Sequence, residues 1–286
     1  MYGYSDTGET KKRTLYSGDI DGIRFLYPAA FSIGATDLIV VRPPSYDWYI
    51  RKPSSDWCVK RWGTSGDIPL LGDVDGDGKA DVIVWRPSNG YWYILKSSSN
   101  YEYSFYYGKA WGTSGDVPLV GDFDGDSKAD LIIWRPSDGY WYVLKSSTGY
   151  ASWSMIHWGT KGDIPMATDF DGDSKGDLII WRPSNGYWYI LKSSTNYEYS
   201  SYYGKAWGTS GDVPIADDFD GDGKADLAVW RPSSGYWYIL KSSSNYEYSS
   251  YYGKAWGTSG DKPLAGDIDA DGKADLIIWR PSSGTW

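Results

Sequence analysis

The sequence predicts an all-β fold, namely a β-propeller made of four-stranded blades, and three observations support this prediction. The first is a nine-residue acidic segment, Asp-x-Asp-Gly-Asp-Gly-Lys-Ala-Asp in its commonest form, which recurs at spacings of 49, 47, 49 and 49 residues. The second is that each copy holds short β-branched and aromatic runs bounded by Pro, Ser, Asn and Gly. The third is that no window shows the 3.6-residue apolar period of a helix. Repeats of roughly 40 to 50 residues with four strands are typical of propeller blades.

The repeat occurs about six times, and the copies are unequal. Five copies carry the acidic segment, which begins at Asp73, Asp122, Asp169, Asp218 and Asp267. A weaker copy at residues 36–43 keeps only the strand that ends in Arg-Pro, and the last copy stops at Trp286, partway through the pattern. We therefore expect five to six blades over residues 28–286, in a closed ring or an open arc. A stacked solenoid is the alternative arrangement for a repeat protein.

Within one copy, the predicted strands follow in chain order. Residues 82–85 and 91–95 are two apolar runs joined by an Asn-Gly pair, which favours a tight hairpin turn. The Tyr-rich residues 101–107 alternate imperfectly and predict an outer strand. Residues 118–121 predict a fourth strand just before the next acidic segment. One blade therefore takes its strands from two successive copies.

Composition and charge exclude several functional classes. A single His157 excludes a multi-histidine zinc site, and a single Cys58 excludes both an internal disulfide framework and a cysteine-rich metal cluster. The formal charge of −9 argues against binding to nucleic acid, because that binding depends on clustered Lys and Arg. No apolar run approaches the roughly 20 residues that a membrane span needs.

The acidic segment has the spacing of a cation-binding loop. Asp73, Asp75, Asp77 and Asp81 occupy positions 1, 3, 5 and 9 of the first full copy, so their carboxylates converge when the loop curls. We expect the main-chain carbonyl of Lys79, at position 7, to join them. Oxygen ligands without His or Cys disfavour zinc and copper, and several flexible carboxylates favour Ca²⁺ over Mg²⁺. The alternative is that these segments are solvated Asp-Gly turns that hold no ion.

The same positions in all five segments supply the candidate metal ligands, with each lysine contributing its main-chain carbonyl. They are Asp73, Asp75, Asp77, Lys79, Asp81, Asp122, Asp124, Asp126, Lys128, Asp130, Asp169, Asp171, Asp173, Lys175, Asp177, Asp218, Asp220, Asp222, Lys224, Asp226, Asp267, Asp269, Asp271, Lys273 and Asp275. Up to five Ca²⁺ ions are expected, and their ten charges would change the formal charge from −9 to about +1. Ser127, Ser174 and Ala270 replace loop glycines, so we expect weaker binding in those three loops.

Tandem acidic loops followed by Leu-Ile-Ile-Trp-Arg-Pro resemble the FG-GAP/VCBS repeats of integrin-like calcium-binding β-propellers. The resemblance covers residues 28–286. It implies calcium loops between the first and second strands of each blade, with the loop carboxylates as the metal ligands. It also implies a secreted, extracellular protein that acts in adhesion, in carbohydrate binding or as an accessory domain of a secreted enzyme. The weak first copy lacks the acidic residues, so we expect it to be metal-free.

Residues 1–27 stand apart from the repeat. Ser17 and Asp19 can cap a short helix. Met1-Tyr2 and the later residues 19–27 resemble the end of a matrixin-type (metzincin) zinc metalloprotease domain, from its Met-turn through its final helix; a chance resemblance of a capped helix is the alternative. The His-rich zinc motif of that family is absent from this sequence. The full-length parent would then be a zinc metalloprotease, whereas this chain is expected to have no enzymatic activity and no catalytic residue.

Aromatic and charged residues outside the loops also recur once per copy. Trp92, Trp141, Trp188 and Trp237 suit either sugar stacking or core packing, and packing is the stronger interpretation. Two tyrosine series are better candidates for an exposed surface, namely Tyr197, Tyr199, Tyr202 and Tyr203, and Tyr246, Tyr248, Tyr251 and Tyr252. The arginine after each strand Trp is expected to pair with a recurring Asp of an adjacent blade.

Two functional hypotheses of different class follow. In the first, the chain is a non-catalytic, calcium-binding extracellular module that binds glycans or matrix polymers and accompanies a secreted metalloprotease. In the second, it is a structural repeat protein that self-associates into larger arrays without a small ligand. Neither hypothesis involves nucleic acid or a membrane span.

Overall fold

The computed structural model describes residues 38–42, 45–51 and 57–285. Within these ranges the chain forms 21 β-strands and seven short 3₁₀ turns, with no α-helix. None of the described segments is a helix that could cross a membrane. The helix predicted within residues 1–27 lies outside the described residues, as do the boundary between residues 27 and 28 and the start of the weak first copy.

The strands are β1 (Leu38–Arg42), β2 (Asp47–Arg51), β3 (Trp57–Arg61), β4 (Ile68–Gly72), β5 (Asp81–Arg86), β6 (Tyr91–Leu95), β7 (Tyr107–Ala110), β8 (Val117–Gly121), β9 (Asp130–Arg135), β10 (Tyr140–Leu144), β11 (Trp153–His157), β12 (Ile164–Thr168), β13 (Asp177–Arg182), β14 (Tyr187–Leu191), β15 (Tyr203–Ala206), β16 (Val213–Asp217), β17 (Asp226–Arg231), β18 (Tyr236–Leu240), β19 (Tyr252–Ala255), β20 (Lys262–Gly266) and β21 (Asp275–Trp279). The 3₁₀ turns are Ser97–Ser99, Tyr103–Phe105, Ser146–Thr148, Ser193–Thr195, Tyr199–Ser201, Ser242–Ser244 and Tyr248–Ser250.

The strands pair into six sheets over the described ranges. Four are complete four-stranded blades, β4–β7, β8–β11, β12–β15 and β16–β19, and every pair of neighbouring strands is antiparallel and consecutive in the chain. A three-stranded sheet, β1–β3, precedes them and a two-stranded sheet, β20–β21, follows. The number of complete blades is therefore four rather than the predicted five to six, because the outermost copies contribute only part of a sheet within the described residues.

The blades pack radially, as the sequence predicts. The first strands of successive sheets contact one another, β4 with β8, β8 with β12, β12 with β16 and β16 with β20. Because each blade is covered on both faces by its neighbours, its second strand is buried along nearly its whole length, as in β5 and β9. The all-β propeller prediction is confirmed.

Paired tryptophans fill the centre of each blade. Trp85 lies directly opposite Trp92 across β5 and β6, and both rings are fully buried. Both indole N–H groups donate to the main-chain carbonyl of Trp111, so these large rings are buried without an unmet donor. Trp141, Trp188 and Trp237 are equally buried in their own blades. Core packing is therefore confirmed for this series, and sugar stacking on it is excluded by burial.

The outer part of each blade differs from the prediction. Of the predicted strand at residues 101–107, residues 101–106 do not form a strand in this structure: they follow one 3₁₀ turn, Ser97–Ser99, and contain a second, Tyr103–Phe105. Asn100 and Tyr101 have positive φ values of 54° and 57°, which end the extended conformation. The tyrosine ring is thereby directed inward, and its hydroxyl donates to the carbonyl of Ala80. The outer strand is the short β7 that follows.

Candidate metal centres and aromatic clusters

Each acidic loop connects the first and second strands of a sheet. The loop that begins at Asp73 joins β4 to β5, and the other four occupy the equivalent place in their sheets. This is the position that the family resemblance implied. All five loops therefore lie at the same end of the inner strands.

The aspartate at position 1 organises the loop backbone. Oδ1 of Asp73 accepts hydrogen bonds from the amides of Gly76 (2.6 Å) and Asp77 (3.2 Å), and Oδ2 accepts one from the amide of Gly78 (2.8 Å). Asp218 binds the equivalent amides of its own loop. The carboxylate thus curls the chain around itself, which is what alternating acidic positions need in order to converge.

The aspartate at position 9 fastens the loop to the blade. Asp81 is fully buried, and it accepts hydrogen bonds from the amide of Val74 (2.8 Å) and from the amide of Ser97 (2.7 Å) beyond the third strand. Asp130, Asp177 and Asp226 make the same two contacts in their blades. Loop, inner strands and 3₁₀ turn are therefore held as one unit.

In every loop three carboxylates converge, each offering one oxygen within 4.8 Å of the other two. The groups are Asp73, Asp75 and Asp81; Asp122, Asp124 and Asp130; Asp169, Asp171 and Asp177; Asp218, Asp220 and Asp226; and Asp267, Asp269 and Asp271. The position-5 residues Asp77, Asp126, Asp173 and Asp222 are not members of the close groups. Twelve carboxylates at positions 1, 3 and 9 of four loops thus stand together as the sequence predicts.

The position-3 carboxylates provide the test of whether a cation fits. The Oδ1 atom of each is buried and has no hydrogen-bond partner within the part of the chain that the structure describes. This holds for Asp75, Asp124, Asp171 and Asp220. No Lys or Arg of the described residues forms an ion pair with them either. A buried, unpaired carboxylate oxygen is costly, and a hard cation among three oxygen donors would satisfy it. The donor set therefore fits Ca²⁺.

Burial strongly shifts the ionisation of the position-9 carboxylates. Desolvation, with a smaller contribution from the neighbouring Asp75, raises the pKa of Asp81 to about 7, although two amide hydrogen bonds oppose the change. Burial likewise raises the pKa of Asp177 and Asp226 to about 7 and that of Asp130 to about 6. No Lys or Arg among the described residues forms an ion pair with these four carboxylates, so their ionised form lacks a compensating positive charge.

Positions 5 and 7 have other hydrogen bonds. Oδ1 of Asp77 accepts from the amide of Lys79 (3.0 Å) and from the hydroxyl of Ser97 (2.8 Å). The position-5 side chain is thus directed towards the 3₁₀ turn. Its coordination of a metal stays a prediction, as does that of the Lys79 carbonyl and the four equivalent lysine carbonyls.

Sequence reasoning missed the serines that complete each site. Ser98 donates its hydroxyl to Oδ2 of Asp75, and Ser147, Ser194 and Ser243 do the same for the position-3 aspartates of their blades. A Lys-Ser-Ser tripeptide follows the third strand in each complete blade, and its second serine comes 23 residues after the position-3 aspartate. That recurrence was the signal available in the sequence. The serine hydroxyl orients the position-3 carboxylate so that its second oxygen faces the cluster.

The fifth loop is organised differently. Oδ1 of Asp269 accepts a hydrogen bond from the amide of Asp271 (3.2 Å), and the carboxylate of Asp275 stands outside the close group. Ala270 has a φ of 63°, and Ser127 and Ser174 have φ values of 64° and 65°, so all three residues that replace glycine have a left-handed backbone, the condition under which such a replacement costs strain. Weaker binding in these loops remains a prediction.

The recurring arginines form ion pairs at the opposite end of the inner strands. Arg86 Nε lies 2.7 Å from Asp67 Oδ1, and its Nη2 lies 2.8 Å from Oδ2. The guanidinium also covers the ring of Tyr93, 4.5 Å from its centroid. Asp67 directly precedes β4 and Arg86 ends β5, so the pair lies within one sheet. The predicted pairing is confirmed, but its placement between adjacent blades was wrong, because the strand hairpin returns the arginine to its own sheet. The other four pairs are Arg135–Asp116, Arg182–Asp163, Arg231–Asp212 and Arg280–Asp261.

Exposed aromatic clusters lie at the junctions between blades. We use the term junction cluster for one Trp and the two tyrosines of the next blade that contact it. Among the described residues there are three such clusters, with ring centroids 5.4 to 6.0 Å apart: Trp62 with Tyr103 and Tyr106, Trp158 with Tyr199 and Tyr202, and Trp207 with Tyr248 and Tyr251. All six tyrosines are about half exposed. At a fourth junction, exposed Trp153 takes their place beside Trp111.

The tyrosine predictions are confirmed only in part. Tyr199, Tyr202, Tyr248, Tyr251 and Tyr252 are exposed, as expected. Tyr246 is buried, and Tyr197 and Tyr203 are partly buried. The inward residues have rings that pack between blades, as Tyr246 does against Phe170 with centroids 4.9 Å apart. Two tyrosines of the first series and three of the second therefore remain for the surface.

Comparison with known proteins supports the repeat and the fold. Residues 73–133 and 218–278 each match the family described as the FG-GAP-like repeat. No curated protein is similar enough to count as a relative.

Several solved structures share this propeller fold at low identity. A streptogramin B lyase aligns with a TM-score of 0.54 and 10% identity over 87% of this chain and 74% of its own. A lectin of Agrocybe aegerita, described as recognising non-reducing terminal N-acetylglucosamine, aligns with a TM-score of 0.51 and 13% identity over 87% and 86%. BBS1N, solved in complex with ARL6DN, aligns with a TM-score of 0.53 and 11% identity over 93% and 77%. At such identities the similarity concerns the fold alone.

Proposed function

We propose that this repeat propeller is a non-catalytic binding module that Ca²⁺ stabilises and that binds carbohydrate outside the cell. The observation that carries the calcium part is the set of four buried carboxylate oxygens, in Asp75, Asp124, Asp171 and Asp220, that have no partner in the described chain. Such oxygens favour a hard cation. Sites of this kind with affinities in the 10⁻⁴ to 10⁻³ M range are useful where calcium is abundant, which favours an extracellular location.

A calcium titration tests this part. Titrating CaCl₂ into chelator-treated protein by calorimetry should give saturable heat with a stoichiometry of about four, or five if the Asp267 loop also binds. MgCl₂ at the same concentration is the control, and it should bind much more weakly because Mg²⁺ dehydrates reluctantly. A titration with no heat of binding, together with an unchanged melting temperature, would refute the calcium role.

The junction clusters carry the carbohydrate part of the proposal. Their exposed residues are tyrosines, which combine a flat apolar face with a hydroxyl group, and the rings are held in place by neighbours. Tyr103 accepts a hydrogen bond from the amide of Arg61 (3.0 Å), and Tyr248 donates one to the carbonyl of Ala206 (3.0 Å). A fixed aromatic face can stack on a sugar ring at a low entropic cost. Three similar clusters on one chain suit a glycan polymer, since linked sites add avidity.

A variant series tests carbohydrate binding independently of the metal. Wild type should retain polysaccharide in a pull-down assay, whereas the triple variant Tyr106→Ala, Tyr202→Ala, Tyr251→Ala should lose at least about tenfold in apparent affinity. The control is Phe105→Ala, which removes a ring that is 68% exposed but lies outside the junction clusters. Both variants should keep the wild-type calcium titration. Equal retention by wild type and the triple variant would contradict the assignment.

Association with a secreted metalloprotease is also proposed, and it is supported by the resemblance within residues 1–27 alone. The sequence upstream of Met1 in the gene tests it. A zinc-binding His-Glu-x-x-His motif encoded there would support the association, and an upstream sequence without it would oppose it.

A further inference from the structure

Successive acidic loops are joined by a main-chain hydrogen bond between blades. The amide of Ala129, at position 8 of the second loop, donates to the carbonyl of Asp73, at position 1 of the first loop, over 2.6 Å. The same bond joins every following pair of loops, from Gly176 to Asp122, from Ala225 to Asp169 and from Ala274 to Asp218, over 2.6 to 2.8 Å. The five loops therefore form one continuous chain across the described sheets.

A lysine side chain makes a second contact at each of these junctions. A Cβ atom built on Gly76 would lie 3.0 Å from Cε of Lys128 of the next loop. The equivalent pairs are Gly125 with Lys175, Gly172 with Lys224 and Gly221 with Lys273, at 2.5 to 3.1 Å. Position 4 thus needs glycine for two reasons, its positive φ and the lysine that lies against it. Ala270, in the last loop, has no following loop within the described residues.

A buried tyrosine adds a third link at two junctions. The hydroxyl of Tyr150 lies 2.8 Å from the carbonyl of Ala129 in its own loop and 3.4 Å from the carbonyl of Val74 in the preceding loop. Tyr246 makes the same pair of contacts with Ala225 and Phe170. These hydroxyls fix the spacing of neighbouring loops.

We propose that cation binding by neighbouring loops is positively cooperative, and this inference rests on the proposed calcium binding. The donor amide of each junction lies between positions 7 and 9 of one loop, and the acceptor carbonyl belongs to position 1 of the preceding loop. When a cation orders one loop, it therefore also orders the main-chain amide or carbonyl that forms the hydrogen bond to the neighbouring loop. The second loop then loses less conformational entropy when it binds, which is sufficient for cooperativity without a change of structure. Repulsion between the bound ions opposes this coupling, and it is reduced by salt.

A matched pair of glycines tests the coupling without removing a ligand. Gly221 and Gly223 have φ values of 81° and 83°, but a Cβ on Gly223 would meet no atom within 4 Å, whereas one on Gly221 would meet Lys273. Wild type should bind calcium with a Hill coefficient above about 1. Gly221→Ala, combined with Gly76→Ala, should lower that coefficient, and Gly223→Ala with Gly78→Ala should leave it near the wild-type value.

Hydrogen exchange gives the local measurement. With saturating calcium, Asp171→Asn should increase amide exchange in its own loop and also in the two adjoining loops, residues 122–130 and 218–226. Residues 73–81, two junctions away, are the internal control and should change least. We expect the average calcium affinity of the remaining sites to fall about fivefold, the lower end of common coupling strengths.

The outcomes distinguish the two proposals. If wild type binds no calcium, the proposed function and the coupling are both wrong. If wild type binds calcium with a Hill coefficient of about 1, and Asp171→Asn removes one site while adjoining loops keep their exchange rates, only the coupling is wrong. If both glycine pairs lower the Hill coefficient equally, backbone strain rather than the junction explains the effect, and the coupling mechanism is wrong.

Discussion

Aspartates are buried at both ends of the inner strands, but the charges around them are opposite at the two ends. At one end, Asp163 is buried and receives two hydrogen bonds from Arg182. At the other end, Asp177 is buried among acidic neighbours, and burial raises its pKa to about 7. The Arg280 guanidinium instead holds the pKa of Asp261 below its usual value. The chain thus supplies the counter-charge at one end and leaves it to be supplied from outside at the other.

Chelation should give the largest difference between the two ends. If each of four loops binds with a dissociation constant of about 0.1 mM, about 2 mM calcium stabilises the fold by about 1.8 kcal/mol per loop, about 7 kcal/mol in all. For a chain of this size, EGTA should then lower the melting temperature by roughly 15 °C or more. Scanning calorimetry with calcium, with EGTA and with magnesium measures this. Melting temperatures that agree within about 2 °C in calcium and EGTA would contradict it.

The pH dependence of stability should differ between the calcium-free and calcium-bound protein. The carboxyl groups of Asp81, Asp177 and Asp226 have pKa values raised to about 7 in the fold, so the folded state binds protons that the unfolded state has released between about pH 4 and 7. Their stabilising contribution is complete below the unfolded pKa and is lost as pH rises through about 7, by up to about 1.4 kcal/mol per pH unit per group. In EGTA the melting temperature should therefore fall from pH 5 to pH 8.

Calcium should reverse that trend, because it competes with protons for the same oxygens. The calcium-induced increase in melting temperature should be larger at pH 8 than at pH 5. A calcium effect that is constant over this range would show that the ion binds elsewhere.

Breaking one arginine pair should destabilise the fold whether or not calcium is present. Arg182→Met leaves Asp163 buried without its cation, at a cost of about 3 kcal/mol. Urea unfolding in calcium and in EGTA should give the same loss. Lys161→Met, which removes an exposed cation nearby, is the control and should change stability by less than about 0.5 kcal/mol. A loss seen only in calcium would mean that the two ends are not independent.

Removing a position-3 carboxylate should change stability with opposite signs in the two conditions. In calcium, Asp124→Asn should cost about 2 kcal/mol, since it weakens one site. In EGTA, the same change should stabilise the protein by about 1 kcal/mol, because it removes repulsion within the cluster. Asp138→Asn, in an exposed hairpin turn, is the control and should have the same small effect in both conditions. Destabilisation in both conditions would indicate a purely structural role.

Relief of backbone strain in a single loop should give the smallest effect. Ser174 has a φ of 65°, so Ser174→Gly should stabilise the calcium-bound protein by about 0.5 kcal/mol, with a slightly higher affinity in that loop. Ser200→Gly, outside the left-handed region, should give no gain. Equal changes in the two variants would show that loop strain does not limit binding.

The sequence by itself determined the repeat, the strand-rich blade and the clustering of the acidic loops. These follow from local rules: β-branched and aromatic runs form strands, and Asp-Gly alternation curls a loop around the position-1 carboxylate. Even the arginine pairing was visible as a recurring pair of residue types. Each of these features depends on neighbours within about 20 residues of chain.

Only the tertiary structure decided which groups meet across blades. The packing of Tyr246 against Phe170 and the hydrogen bond from Ala129 to Asp73 depend on how sheets pack. In the sequence, glycine at position 4 indicates only a turn. The second reason why glycine is needed there is the side chain of a lysine about 50 residues further along the chain. Periodicity gives the position of a residue within its blade, whereas contact between blades depends on packing distances that no single repeat contains.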